Sequence, residues 1–192
     1  MIEFAAAPAT LPPGQRVYAI GDVHGCMDRL MALHELIADD IAARPAEHTV
    51  LVHLGDYVDR GTDSAQVIDW LINTPPVPAD DIVNLMGNHE HMMLSALAGA
   101  DKEAPSLWLT NGGADSLLSW GISRLVPPAE WAALIPRQHL IFLRDLTFCH
   151  SVGPYLFVHA GIRPGVALDR QSRSDMLWIR EPFLSSRADH GA

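Results

Sequence analysis

The chain has 192 residues, 48% of them hydrophobic and 19% charged, a globular composition long enough to bury its own core and too long for a disulfide-stapled miniprotein. Asp and Glu outnumber Lys and Arg by 23 to 13, a formal net charge of −10, which argues against nonspecific binding to nucleic acid or an anionic membrane because both need a basic footprint. The two cysteines, Cys26 and Cys149, form no CxxC, which excludes a disulfide framework and a cysteine-rich zinc site.

Residues 1–16 read as a flexible lead-in of small residues and prolines; Glu3 and the lack of a basic start make it a poor signal peptide. No stretch approaches the roughly 18 apolar residues of a membrane span, and a cytoplasmic setting is the expectation. A single domain is expected over 17–192. Its first strand is Val17–Ile20, ending in Gly21-Asp22. Leu30, Leu33, Ile37 and Ile41 then recur at helical spacing. Thr49–Leu54 is a second buried-strand run, ending in Gly55-Asp56. A second amphipathic helix carries Val67, Ile68, Leu71 and Ile72 and stops at residues 73–76. Ile82–Met86 is a third strand, ending at Gly87-Asn88, with a helix starting near Glu90. The order β-α-β-α-β-α predicts a sheet with crossover helices. Residues 105–145 read as mainly helical, with Trp108, Leu117, Leu118, Trp120, Trp131 and Leu134 as core. Tyr155–Val158 is another strand, ending at His159-Ala160-Gly161, and the end of the chain reads as a short helix and a loop.

Each strand ends in a residue able to bind metal, next to a glycine: Asp22 and His24, Asp56, Asn88, and His159. Ligands of open α/β sheets collect at the carboxyl ends of the strands, so four strand ends can serve one site. Asp22 and His24, two apart, point the same way in extended backbone. A lone Asp-Gly or Asn-Gly pair is usually only a turn. DVH, GDYVDR, GNHE and HAG together, each after a strand, are harder to explain that way. Carboxylates, imidazoles and one amide suit hard or borderline divalent metals such as Mn, Fe or Zn.

Residues 21–25 (GDVHG), 55–61 (GDYVDRG) and 87–90 (GNHE), followed by His159-Ala160-Gly161, resemble the signatures of the PPP-type metallophosphoesterases. LFVHAGIRPG and LWIREPF resemble most the small bacterial serine/threonine phosphatases of that family. The resemblance implies an α/β fold of two packed mixed β-sheets flanked by helices, an α-β-β-α sandwich. It also implies two divalent ions, Mn²⁺ being the first expectation and Fe or Zn the others. Asp22 and His24 would hold the first metal, Asp56 would bridge, and Asn88 and His159 would belong to the second, with a hydroxide held between them as nucleophile. His89 is placed to protonate the leaving alkoxide, and Asp59 to orient it. Arg60 can bind the phosphate through two donors, with Asn88 beside it. Arg180 is a weaker phosphate contact, about as well read as a surface arginine, and Arg163 deserves the same caution. Of the other histidines, His34 reads as half-exposed and His53 as a satisfied core group. His91 faces away from His89, and His48, His139, His150 and His190 have no partner at a recognisable spacing.

The family pattern closes with a Gly-His segment that supplies a further ligand of the second metal. Here the order is His190-Gly191, so the role is not transferred. The length points to a C-terminally truncated domain with an incomplete second sheet rather than a naturally short member. Rival phosphatase chemistry is excluded: no Cys has an Arg six positions on, and no HExxH, GxSxG or GxxxxGK[ST] occurs. The leading expectation is a serine/threonine protein phosphatase acting on a phosphoprotein or another phosphomonoester. A symmetrical diadenosine tetraphosphatase is the alternative within the family, disfavoured by His24 where those enzymes tend to carry Gln. A metal-binding fragment impaired in catalysis is the alternative outside it.

Overall fold

The β-rich runs of the first half pair in parallel. β1 (Gln15–Ile20), β2 (His48–His53) and β3 (Asp81–Asn84) form a sheet in the order β1-β2-β3 in a computed structural model that describes residues 5–7, 9–73 and 77–187. The crossovers are α1 (Met27–Ala43) and α2 (Ser64–Asn73). The register aligns Ile20 with His53 and His53 with Asn84, so the three strand ends come level. β1 begins at Gln15, inside the segment read as a lead-in, because Gln15 and Arg16 pair with His48 and Thr49. Ala9 is tied further along, exchanging hydrogen bonds with the Tyr155 hydroxyl.

After β3 the chain turns into α3 (Asn88–Ala98), then α4 (Ala104–Trp108), a wide turn at Leu109–Gly113, and α5 (Ala114–Ser119). α6 (Pro128–Leu134) and α7 (Arg137–Asp145) follow, each opened by a proline. β4 (Cys149–Val152) and β5 (Tyr155–Val158) make a second, antiparallel sheet. α8 (Arg173–Trp178) is capped by the Ser172 hydroxyl, which accepts the Asp175 N–H at 3.0 Å. Among the described residues the expected mixed character is divided: one sheet is parallel, the other antiparallel, and a single parallel bridge, Leu85 to Thr147, joins β3's end to the approach of β4.

Val50, Val52 and Leu85 meet Val152 and Phe157 between the sheets. On the helical side Leu30, Leu51, Ile68, Met93, Trp108, Leu117, Trp131 and Leu143 form the larger core. Three leucines expected in the core, Leu33, Leu118 and Leu134, are 43%, 52% and 51% exposed. For α1 the reason is phase: the inward stripe is Leu30, His34, Ile37 and Ile41, so His34 takes the place assigned to Leu33 and is fully buried.

His34 meets His53 there, Nε2 to Nε2 at 2.8 Å. The tautomers follow from the partners. The Trp70 indole N–H donates to His34 Nδ1 at 3.1 Å, so neutral His34 carries its proton on Nε2 and gives it to His53 Nε2. His53 then donates from Nδ1 to Asn84 Oδ1 at 2.9 Å. Burial lowers both rings from 6.5 to about 4, with the mutual repulsion of the pair adding to it at His53. The neutral forms are the folded forms. The stability they lend is full above pH 6.5 and falls as the pH drops towards about 4, by up to about 1.4 kcal/mol per pH unit for each ring. We expect ring-nitrogen shifts at about pH 5 to show both imidazoles still neutral while urea stability is already declining; two charged rings at that pH would refute the pairing.

Candidate active site

Four non-glycine residues adopt left-handed backbone among the described residues: His24 (φ 44°), Asp56 (φ 54°), Asp59 (φ 74°) and Arg60 (φ 67°). Each such residue costs about 1–3 kcal/mol and persists only where its surroundings hold it. All four are candidate site residues of the sequence motifs. Two devices hold them. The Asp56 carbonyl accepts the N–H groups of Val23 (3.0 Å) and His24 (2.8 Å), zipping the loop after β1 to the loop after β2. Glu90, buried in α3, accepts the backbone N–H groups of Asp56 (2.8 Å), Tyr57 (2.7 Å), Val58 (3.1 Å) and Gly87 (3.0 Å). Burial and the Asp56 carboxylate push Glu90 up to about 8, and the N–H groups of Val58, Asp56 and Gly87 pull it back. The loops approach so closely that a Cβ on Gly87 would lie 2.2 Å from both the Asp56 amide nitrogen and Oδ1; only glycine fits.

The side chains converge on Asp56. His24 Nε2 lies 3.6 Å from Asp56 Oδ2, and His159 Nε2 lies 3.5 Å from Oδ1. Donor atoms of His24, Asp56 and His89 fall within 4.8 Å of one another, as do those of Asp22, Asp56 and His159. Asp22, half-exposed, also comes within 3.9 Å of His24 Nε2, so it reaches both imidazoles rather than His24 alone. The donors fit divalent cations on their own chemistry. His24 and His159 each donate Nδ1–H to a carbonyl, Val58 and Leu54, both at 2.9 Å. That fixes the tautomer and turns the Nε2 lone pair inwards. Asn88 Oδ1 is buried with no hydrogen-bond partner, one of two such side-chain atoms among the described residues, and a cation is the partner that such an oxygen lacks.

His89 is buried against this cluster, its ring edge-on to His24 with centroids 4.6 Å apart. Its Nδ1 donates to Asp59 Oδ2 at 2.7 Å, leaving Nε2 on the open side. Arg60 donates to His24 Nε2 at 2.9 Å and to His89 Nε2 at 3.0 Å. Arg60, Asn88, His89, His159 and Arg180 line one cavity of about 450 Å³, so Arg180 shares the space with Arg60. Arg163 does not join them: it pairs twice with Asp175, at 2.9 and 2.5 Å. His91 is exposed, and His190 lies outside the described residues. His139 and His48 do have partners, Trp120 with Asp69 and Asp81 respectively, at sequence distances no motif reveals.

Sequence reasoning missed three residues that build the site. Glu90 was read only as a helix start, although a Glu three places after the residue that precedes a helix is a capping signal. Trp108 and Ser116 were read as core or left unread; both bond Asp59, and neutral residues some fifty positions away carry no sequence signal.

A parallel sheet that delivers carboxylates, imidazoles and an amide from successive strand ends, with an arginine and a His–Asp pair beside them, is equipped for metal-assisted phosphoester hydrolysis. Residues 15–190 match the calcineurin-like phosphoesterase family, and the chain belongs to it. It is 32% identical over 190 residues to a protein named serine/threonine-protein phosphatase 1 from Salmonella typhimurium, covering 92% of this chain and 76% of that one. It is 31% identical over 152 residues to a symmetrical bis(5'-nucleosyl)-tetraphosphatase from Methylococcus capsulatus, covering 77% of this chain and 44% of that one. The chain thus spans three quarters of the first relative and less than half of the second. Among solved structures, a variant of a cold-active protein tyrosine phosphatase superposes with a TM-score of 0.52 at 22% identity, over 83% of this chain and 49% of that one, a likeness of fold alone. Hydrolysis of phosphoesters is the activity of the family, and no helix among the described residues is long and apolar enough to cross a membrane.

Proposed function

We propose that this chain carries the catalytic core of a metal-dependent phosphomonoesterase that acts on phosphoserine or phosphothreonine in proteins. The observation that supports it best is the buried His89–Asp59 pair, set beside the Asp56 cluster with Arg60 between them. Asp22, His24, Asp56, Asn88 and His159 would hold two divalent ions, with Mn²⁺ expected ahead of Fe or Zn. When bound, such ions activate water as a nucleophile and draw charge from the phosphoryl oxygens. The chain's own groups supply the rest. Arg60 exchanges its imidazole contacts for two phosphate oxygens, and Arg180 adds a further donor from the same cavity. Asn88 helps to seat the phosphate. His89 holds a proton on Nε2 for the ester oxygen as its bond to phosphorus breaks, and Asp59 keeps the ring aimed and offsets its charge.

A protein substrate is favoured by the relative that aligns with nearly the whole chain, and by His24, whose Nε2 faces the cluster where Gln would bring an amide. The dinucleotide reading is supported by the second relative. Turnover of a phosphoserine peptide and of diadenosine tetraphosphate, each with Mn²⁺ and after extensive chelation, separates them. We expect the peptide to be cleaved with the higher kcat/KM and both activities to vanish on chelation. Preference for the dinucleotide would replace the substrate, and undiminished turnover after chelation would remove the metal-dependent reading itself.

A further inference from the structure

Asp59 is fully buried, and its carboxylate faces no Lys or Arg among the described residues; its partners come from three helices. His89 of α3 donates to Oδ2 at 2.7 Å. The Trp108 indole N–H, at the end of α4, lies 3.0 Å from both Oδ1 and Oδ2. The Ser116 hydroxyl of α5 donates to Oδ1 at 2.7 Å. Ser116 Oγ also accepts the Asp59 backbone N–H at 2.7 Å, so its only proton is committed to the carboxylate. Ser64, 3.0 Å away, must therefore donate to Ser116, and Ser64 in turn accepts the Asp59 N–H at 3.1 Å. Ser64, Trp108 and Ser116 are all fully buried.

The turn that joins Trp108 to Ser116 is shaped to this arrangement. A Cβ on Gly113 would lie 2.5 Å from the Trp108 ring, and one on Gly112 (φ 108°) would lie 2.9 Å from the Arg60 backbone nitrogen and Cγ. The segment thus seats the indole and backs the strained Arg60 at once. Trp131 braces Trp108 edge-on, centroids 5.7 Å apart.

From this geometry we infer that Trp108 and Ser116 are positioning residues for proton transfer: they lock the Asp59 carboxylate so that His89 Nε2 is held towards the leaving oxygen. This rests on the reading of His89 as the proton donor. Both are neutral donors. They satisfy the lone pairs of a buried anion without cancelling its charge, so the full negative charge stays available to a charged His89 ring. An arginine in their place would anchor Asp59 and blunt it. In the step served, water adds hydroxide to phosphorus and the phosphorus–ester oxygen bond breaks. The proton on His89 Nε2 passes to that oxygen, and the second proton of the water restores the ring. Orthophosphate and alcohol are the products.

The test is the leaving-group dependence of Trp108→Phe and Ser116→Ala in the Mn²⁺-loaded protein. A phosphoserine peptide expels an alkoxide that needs the proton; 2,4-dinitrophenyl phosphate expels a phenolate that does not. We expect kcat on the peptide to fall about 10–100-fold, within the reach of general acid catalysis, with less than about a threefold change on the dinitrophenyl ester. KM and metal content stay level, and neither substitution adds a further loss to His89→Asn. Equal losses on both substrates, or losses additive with His89→Asn, would reduce both residues to structural support and overturn the inference. If Trp108→Phe does not fold, as urea melting will show, Ser116→Ala decides alone. If His89→Asn itself treats the two substrates alike, it is the donor reading that fails.

Discussion

Asp56→Asn is expected to remove about a thousandfold or more of turnover, together with most of the bound metal. Charge stabilisation by metal ions is worth several kcal/mol in such reactions, and each 1.4 kcal/mol or so is a factor of ten in rate. Asp56 is the residue common to both donor triads, so losing its charge weakens both positions at once. The substitution is a fair one. Asp56 Oδ1 also accepts the His89 backbone N–H at 3.0 Å, and the amide oxygen of Asn keeps that bond. Metal content measured beside turnover gives the decision: full metal occupancy with full activity would show that Asp56 is not the shared ligand. The parent chain in the same experiment distinguishes an active enzyme from a metal-binding fragment, which would hold less than two ions and turn nothing over.

His89→Asn is expected to lower kcat by a factor of about 10²–10⁴ with metal content unchanged. The second half of that expectation carries the weight, because His89 Nε2 also lies within 4.0 Å of Asp56 Oδ2 and its ring belongs to one of the donor triads. A ligand and a proton donor are therefore both open to it by distance. The bond from Nδ1 to the buried Asp59 carboxylate serves either role, since a carboxylate orients a metal-bound imidazole as readily as it supports a charged one, so the metal content of the variant makes the decision. Loss of an ion in this variant would make His89 a ligand and leave the proton without a source.

The parts of the site legible in the sequence are those written in short range. Asp22 with His24, Asp56 with Asp59 and Arg60, and Asn88 with His89 each lie within five residues of one another and directly after a strand, so motif and topology point to one place. The parallel sheet and its crossovers were legible for the same reason. β4 was not: two of its four residues, His150 and Ser151, are polar and adjacent, so the strand is too short and too polar to stand out. His34 and Leu33 were exchanged because an apolar spacing of three or four fits two phases of a helix, and the buried histidine partner that decides between them is 19 residues away. Trp108 reads as an ordinary core aromatic, and it is one; what the sequence does not carry is that its one polar atom is aimed at a carboxylate.

Glu90 binds three consecutive amides of the neighbouring loop and the amide that precedes its own helix. The start of α3 and the turn after β2 are thereby a single mechanical unit. Neither can open to solvent while the other stays closed, since parting them would strand a buried carboxyl group and several N–H donors together. Opening of either loop is therefore coupled to loss of the bonds that hold the other, and the floor of the candidate site is expected to open as one unit. Differences between substrates are then expected to be met by the walls of the cavity, where Trp178, Arg180 and Leu184 border the space, before they are met by the floor.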